Sequence, residues 1–271
     1  MDWWQALLLG IVQGLTEFLP VSSSGHLMIF RELVGADSEG FLDFTVTVHF
    51  ATVLSTIVVF WKPIVSLFAQ LFKFKYNDGT DYVCKLIVSM IPVAFVGFVL
   101  KDKVEALFGD SLTIVGVCLL ITAALLFLSD RVSVPAPKNA PARRNGISYL
   151  QALIVGLGQA CAVAPGLSRS GTTIASGIIS GVRRDVMAQF SFLMVLVPIV
   201  GEQCLSLLDV ATGAESFGNG VGAVALLIGG LSAFLSGLFA CRVMVDIVKK
   251  AKLSWFALYC AAAAILIFIF L

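Results

Sequence analysis

Six stretches of the chain are apolar for long enough, or nearly so, to cross a bilayer as helices: 41–61, 83–100, 112–128, 187–208, 221–247 and 252–271. Two others break that pattern in the same way. Residues 3–19 carry Gln5, Gln13, Thr16 and Glu17 in a short apolar piece that runs into Pro20 and three serines. A second piece, Leu27 to Val34, follows and is too short to span. Residues 149–182 repeat the plan, with an apolar piece, a tip rich in Gly, Ser and Arg, and another short helix. Irregular backbone at membrane depth is tolerated only where protein or a water-filled cavity surrounds it. Each region is therefore predicted to be a re-entrant helical hairpin.

An internal repeat points the same way. QALLLGIVQG at Gln5–Gly14 aligns without a gap on QALIVGLGQA at Gln151–Ala160, an offset of 146 residues. The same offset pairs Ser22 with Ser168, Ser24 with Ser170, Gly25 with Gly171 and Phe44 with Phe190. Leucines could match by chance in two apolar segments; Gln, Gly and Ser in one register do not. The chain thus reads as a single membrane domain of two halves, about 1–128 and 150–271, joined by a basic, proline-rich connection at 129–149. Each half holds one hairpin and three spanning helices. Three is odd, so the second half enters the membrane from the opposite side, and the predicted fold is an all-α polytopic membrane protein with an inverted-topology repeat.

Charge tests that count. If the 62–82 loop is cytoplasmic, so are 129–149, 183–186 and 248–252, and these loops together hold twelve Lys or Arg. The opposite side receives only Arg31, Lys101 and Lys103, as the positive-inside rule requires. The first hairpin then dips in from outside and the second from the cytoplasm. Composition agrees with membrane residence: 59% of the 271 residues are hydrophobic and 13% charged. A net charge of +1 with no basic stripe outside short loops gives no nucleic-acid partner. Trp3 and Trp4 behind an acidic N-terminus suit an interfacial anchor rather than a cleaved signal peptide. The six cysteines are scattered singly and read as small buried hydrophobes.

The chemistry is expected at the two tips, QGLTEFLPVSSSGH at 13–26 and QACAVAPGLSRSGTT at 159–173. Ionisable groups inside a membrane are costly unless they line a site. Gln13 and Glu17 are four apart and share a helical face. Ser22, Ser23, Ser24, Gly25 and His26 open a short helix whose free N–H groups, hydroxyls and dipole suit an anion. Arg169 needs an anion, which Glu17 or a phosphate could supply, since a guanidinium fork matches two phosphate oxygens. Ser168, Ser170, Thr172 and Thr173 add donors around it. At the offset of 146, Ser23 corresponds to Arg169, Glu17 to Val163 and His26 to Thr172. One tip keeps groups that move protons or attack, and the other keeps groups that bind negative charge. That asymmetry favours catalysis on a phosphorylated substrate over a symmetric pore.

The two tip motifs, extending over the full length and topology, resemble those of the bacterial undecaprenyl-diphosphate phosphatase family, also known for bacitracin resistance. The resemblance implies hydrolysis of a C55 polyprenyl diphosphate to the monophosphate and inorganic phosphate, in the bacterial inner membrane, recycling the lipid carrier of cell-wall synthesis. It also implies a divalent cation, Mg2+ or Ca2+, and a homodimer. By resemblance the family's E/Q-x-x-x-E motif falls on Gln13 and Glu17, with Glu17 as metal ligand. Its serine and histidine fall on Ser23 and His26, and its phosphate-binding arginine on Arg169. The first motif position is Gln here, which weakens schemes in which two carboxylates share the metal. The expected reaction is in-line attack on the terminal phosphorus. Ser23 is the nucleophile, Glu17 takes its proton or holds the metal, and His26 assists proton transfer. Arg169, Ser168, Ser170 and Thr173 clamp the diphosphate, with Gln13, Ser22 and Ser24 completing the substrate site. Attack by water with Ser23 only positioning phosphate remains the alternative. The pocket is expected to open to the extracytoplasmic face. A transporter or flippase for a phosphorylated lipid or anion is the rival, because inverted repeats with hairpins meeting at mid-membrane also serve transport.

Overall fold

The computed structural model describes residues 1–36, 40–100, 103, 112–132, 144–164, 166–211, 221–250 and 252–270. Among them are eleven α-helices and no strand. In chain order they are α1 (Trp3–Thr16), α2 (Ser23–Leu33), α3 (Phe41–Val59), α4 (Trp61–Leu71), α5 (Asp78–Val99), α6 (Leu112–Val132), α7 (Tyr149–Cys161), α8 (Arg169–Ile179), α9 (Arg184–Ala211), α10 (Ala223–Lys250) and α11 (Ser254–Phe270). Five of these, α3, α5, α6, α9 and α10, are long and apolar enough to cross a membrane, and the chain is a multi-pass membrane protein. The sixth stretch expected to span, now α11, is an apolar helix of 17 residues. Most of the proline-rich connection and of the 209–220 loop lies outside the described residues.

The repeated glutamines perform one task in both halves. Gln5 closes a capping box at the start of α1 by accepting the Asp2 N–H at 2.7 Å. Its amide then donates at 3.0 Å to the Val34 carbonyl just past the end of α2. Gln151 likewise accepts the Ser148 N–H at 3.0 Å and donates at 2.7 Å to Ser180 O, just past α8. Val34 and Ser180 are themselves 146 residues apart. Each glutamine therefore ties the two legs of a hairpin together at its base, satisfying a helix-end carbonyl that would otherwise be orphaned.

Glycines set how closely the hairpins approach the long helices. A Cβ on Gly10 would sit 2.3 Å from Gly229 O, and one on Gly14 would sit 2.5 Å from Ala233 O, so α1 lies backbone to backbone on α10. In the other half a Cβ on Gly156 would meet Ser89 O at 2.2 Å, where α7 lies on α5. Phe44 and Phe190, also paired by the offset, are both completely buried.

Two departures from the sequence reading have local causes. The stretch 62–82, expected as a loop, contains α4 and the first turns of α5. Asn77 caps α5 by accepting the Thr80 N–H at 3.0 Å, and Asp78 and Asp81 sit in its first turn, where the helix dipole favours acids. Lys85 follows one turn on and pairs with Asp81 at 2.6 Å, so charge that lowers hydropathy there is neutralised within the helix. Similarly α6 continues to Val132 rather than ending at 128. Asp130 near its end accepts from Arg184 of α9 and, at 2.7 and 2.6 Å, from the N–H and hydroxyl of Ser254 at the start of α11. One carboxylate thus fastens three helix ends.

Candidate functional site

α1 ends at Glu17, which caps its last turn. Gln13, one turn earlier and fully buried, donates from Nε2 to Glu17 Oε2 at 2.9 Å, as the four-residue spacing requires. The chain turns through Phe18–Val21 to Ser22, the N-cap of α2, whose backbone is held at φ 69°. A non-glycine residue there is uncommon and needs support. Ser22 Oγ accepts the Gly25 N–H at 3.3 Å, and the Ser22 carbonyl accepts from His26 Nδ1 at 2.7 Å. This turn carries Ser23 back to Glu17, where Ser23 Oγ donates to Oε2 at 2.6 Å.

The second tip is built alike. Ser168 caps α8 by accepting the Gly171 N–H at 3.1 Å, and Arg169 is the first residue of the helix. Thr173 Oγ1 and Ser191 Oγ lie 2.6 Å apart, fixing α8 on α9. The tips touch: Ser170 Oγ donates to Leu19 O at 3.0 Å, and a Cβ on Gly25 would lie 3.4 Å from Gly166 Cα. Gly166 itself has φ 88° and would press a Cβ to 2.7 Å from Val115 Cα, so the tip turn admits only glycine.

Glu17 and Arg169 consequently line one small cavity of about 30 Å³, closed by Phe18, Thr52, Thr56, Ser170, Ser191 and Phe192 among others. Arg169 lies within electrostatic reach of Glu17. Among the described residues no carboxylate forms an ion pair with it, and no protein acceptor takes its N–H groups. A guanidinium at a helix N-terminus with its donors uncommitted is a receptor for a bidentate anion.

Of the residues singled out by sequence, the structure gathers Gln13, Glu17, Ser23, Arg169 and Ser170, with Ser168 and Thr173 behind Arg169. Ser22 and Ser24 lie 3.4 Å apart at the α2 cap. His26 faces elsewhere. Its second ring nitrogen, Nε2, is 2.7 Å from the Tyr259 hydroxyl of α11, and its ring stacks on that tyrosine. Both ring nitrogens are thus engaged, and neither meets Ser23 or Glu17.

Three residues of α3 were not singled out. His49 Nε2 stands 3.7 Å from Glu17 Oε2, and Thr52 and Thr56 line the cavity. Their spacing of three and four places them on one helical face. A histidine followed by two threonines on one stripe of a spanning helix was the available signal. Among the described residues no group of three or more His, Cys, Asp or Glu side chains is poised to hold a metal. The oxygen donors nevertheless suit a hard cation: Gln13 Oε1 is buried without a hydrogen-bond partner beside the Glu17 carboxylate.

The chain matches the family described as Bacitracin resistance protein BacA over residues 6–266. It is 50% identical to an undecaprenyl-diphosphatase of Bacteroides thetaiotaomicron across 99% of both chains. It is 51% identical to one of Parabacteroides distasonis, over 98% of this chain and 97% of the relative. A Christiangramia forsetii protein of the same name is 45% identical over 100% of this chain and 98% of its own. The chain belongs to this family.

Proposed function

We propose that this member of the bacitracin resistance family is an undecaprenyl-diphosphatase, hydrolysing the C55 polyprenyl diphosphate to its monophosphate and inorganic phosphate in the bacterial inner membrane. The observation that carries the reading is the meeting of the two tips, which sets a serine already hydrogen-bonded to a carboxylate beside an arginine without a protein acceptor. The named relatives supply the substrate.

Ser23 attacks the terminal phosphorus, forming the Oγ–P bond, while its proton passes along the 2.6 Å hydrogen bond to Glu17. The bond from that phosphorus to the bridging oxygen breaks, and the lipid monophosphate leaves with the negative charge. Arg169, with Ser168, Ser170 and Thr173 holding the α8 start, stabilises that charge. Glu17 releases the proton taken from Ser23 to solvent; water then attacks the phosphoserine and gives a proton to Glu17, which returns it to Ser23 Oγ as the Oγ–P bond breaks and orthophosphate departs. Gln13 orients Glu17 through the 2.9 Å bond, and Ser22 and Ser24 shape the cap that presents Ser23. His26 holds the Ser22 carbonyl and with it the turn. Glu17 and Gln13 Oε1 would hold a divalent cation, Mg2+ or Ca2+, which when bound would neutralise diphosphate charge.

The same reading includes an inverted-topology repeat in which α11 is the sixth crossing and α1–α2 and α7–α8 are the re-entrant hairpins. Equivalent glutamine ties at an offset of 146 support it. Charge in the connecting loops supports entry of the first hairpin, and so opening of the site, on the extracytoplasmic side.

Hydrolysis separates from lipid translocation by stoichiometry. Proteoliposomes of the purified chain given undecaprenyl diphosphate yield one orthophosphate per lipid monophosphate by phosphate assay and mass spectrometry. Movement of intact diphosphate between leaflets without phosphate release would refute the reading.

A further inference from the structure

The imidazole of His49 is held in one orientation. Its Nδ1 lies 2.9 Å from the Thr45 carbonyl one turn back on α3. A backbone carbonyl can only accept, so Nδ1 carries a proton and Nε2 is the ring nitrogen left for another partner. That nitrogen faces Glu17 Oε2 across 3.7 Å. The two side chains are only 16% and 10% exposed. A charge-assisted hydrogen bond between a protonated ring and the carboxylate would close to about 2.7–2.9 Å. The gap is too wide for that, and it suits a shared ion. Two ligands each about 2.1 Å from one cation and 3.7 Å apart subtend about 120° at it, an angle open to a tetrahedral or five-coordinate site.

A third donor adjoins Glu17. Gln13 spends its Nε2 on Glu17, which leaves the carbonyl oxygen of the same amide buried and without a hydrogen-bond partner. A buried acceptor in that state is explained when a cation occupies the neighbourhood. The Nδ1–H bond to a backbone carbonyl is also the outer-sphere arrangement that orients a metal-bound histidine.

We propose that His49 Nε2, Glu17 and Gln13 Oε1 form one divalent-metal site, in which α3 supplies a nitrogen ligand that the α1 motif lacks. The inference rests on the hydrolase reading for what the metal serves, but its ligand set stands on geometry alone. It has a consequence for metal preference. Imidazole raises affinity for Zn2+ strongly, and for Mn2+ more weakly, relative to Ca2+, which takes oxygen only.

The chain has two histidines, His26 and His49, so nitrogen ligation can be assigned without ambiguity. The protein is purified through a histidine-free tag, loaded with Mn2+ and measured by electron spin echo envelope modulation. We expect 14N coupling from an imidazole that persists in His26→Gln and vanishes in His49→Gln, with Mn2+ still bound. Mn2+ affinity should fall roughly tenfold or more in His49→Ala, whereas Ca2+ affinity in His49→Gln should hold. Bound Mn2+ without 14N coupling in the wild-type protein overturns the ligand set while leaving the hydrolase reading intact. Coupling that survives His49→Gln overturns it too, as does failure of the wild-type protein to bind Mn2+. Loss of phosphate release alone would strike the hydrolase reading and not this site.

Discussion

Ser23 Oγ donates to Glu17 Oε2 at 2.6 Å across the turn that joins α1 to α2. The residues are six apart in sequence, one capping α1 and the other opening α2, and the turn between them holds Ser22 at φ 69°. Removing the hydroxyl with Ser23→Ala is expected to lower kcat by roughly 10³-fold or more, with little change in melting temperature. Steady-state phosphate release, read beside thermal unfolding in detergent, checks both halves of that statement.

Arg169 should distinguish charge from shape. Arg169→Ala is expected to lower kcat/KM by roughly 10²–10³-fold through loss of transition-state charge stabilisation. Arg169→Lys should recover only part of it, because an ammonium does not reproduce the two-pronged guanidinium contact. Equal activity in the two variants would argue for a purely structural arginine.

His26 donates to the Ser22 carbonyl, so its loss should loosen the turn that aims Ser23. His26→Ala is expected to reduce kcat about 10²-fold, the scale of a misplacement near 1 Å. His26→Asn, which can still donate to that carbonyl, should restore much of the loss. A proton-transfer role would show no such rescue.

The hairpin ties predict stability rather than chemistry. Gln151→Ala removes the 2.7 Å bond to Ser180 O and should cost about 1–3 kcal/mol, as should Gln5→Ala at Val34 O. Gly14→Val should be worse, since even a Cβ would sit 2.5 Å from Ala233 O on α10. Thermal unfolding in one detergent, compared across the three variants, gives the order.

Much of this arrangement was legible in the chain because the repeat preserves side chains with identical structural tasks. Gln5 and Gln151, Ser22 and Ser168, and Gly25 and Gly171 stand out in apolar surroundings and keep one register. Glu17 and Arg169 stood out as charges in apolar tips, where ionisable groups are costly unless they line a site. His49 did not, since α3 is apolar overall and its polar stripe is visible only at helical spacing. The partner of His26, Tyr259, lies 233 residues away, and nothing local links the two. Helix α4 was hidden by Lys62 and Pro63 at its start, although proline is well tolerated in a first turn.

The stereochemical course at the transferred phosphorus tests the central claim most directly. A β-thio diphosphate lipid made chiral with oxygen isotopes, hydrolysed in labelled water, releases a thiophosphate whose configuration can be read. Attack by Ser23 followed by attack of water inverts twice, so the account predicts net retention. Inversion would mean that water attacks the lipid diphosphate itself, and would contradict a nucleophilic Ser23.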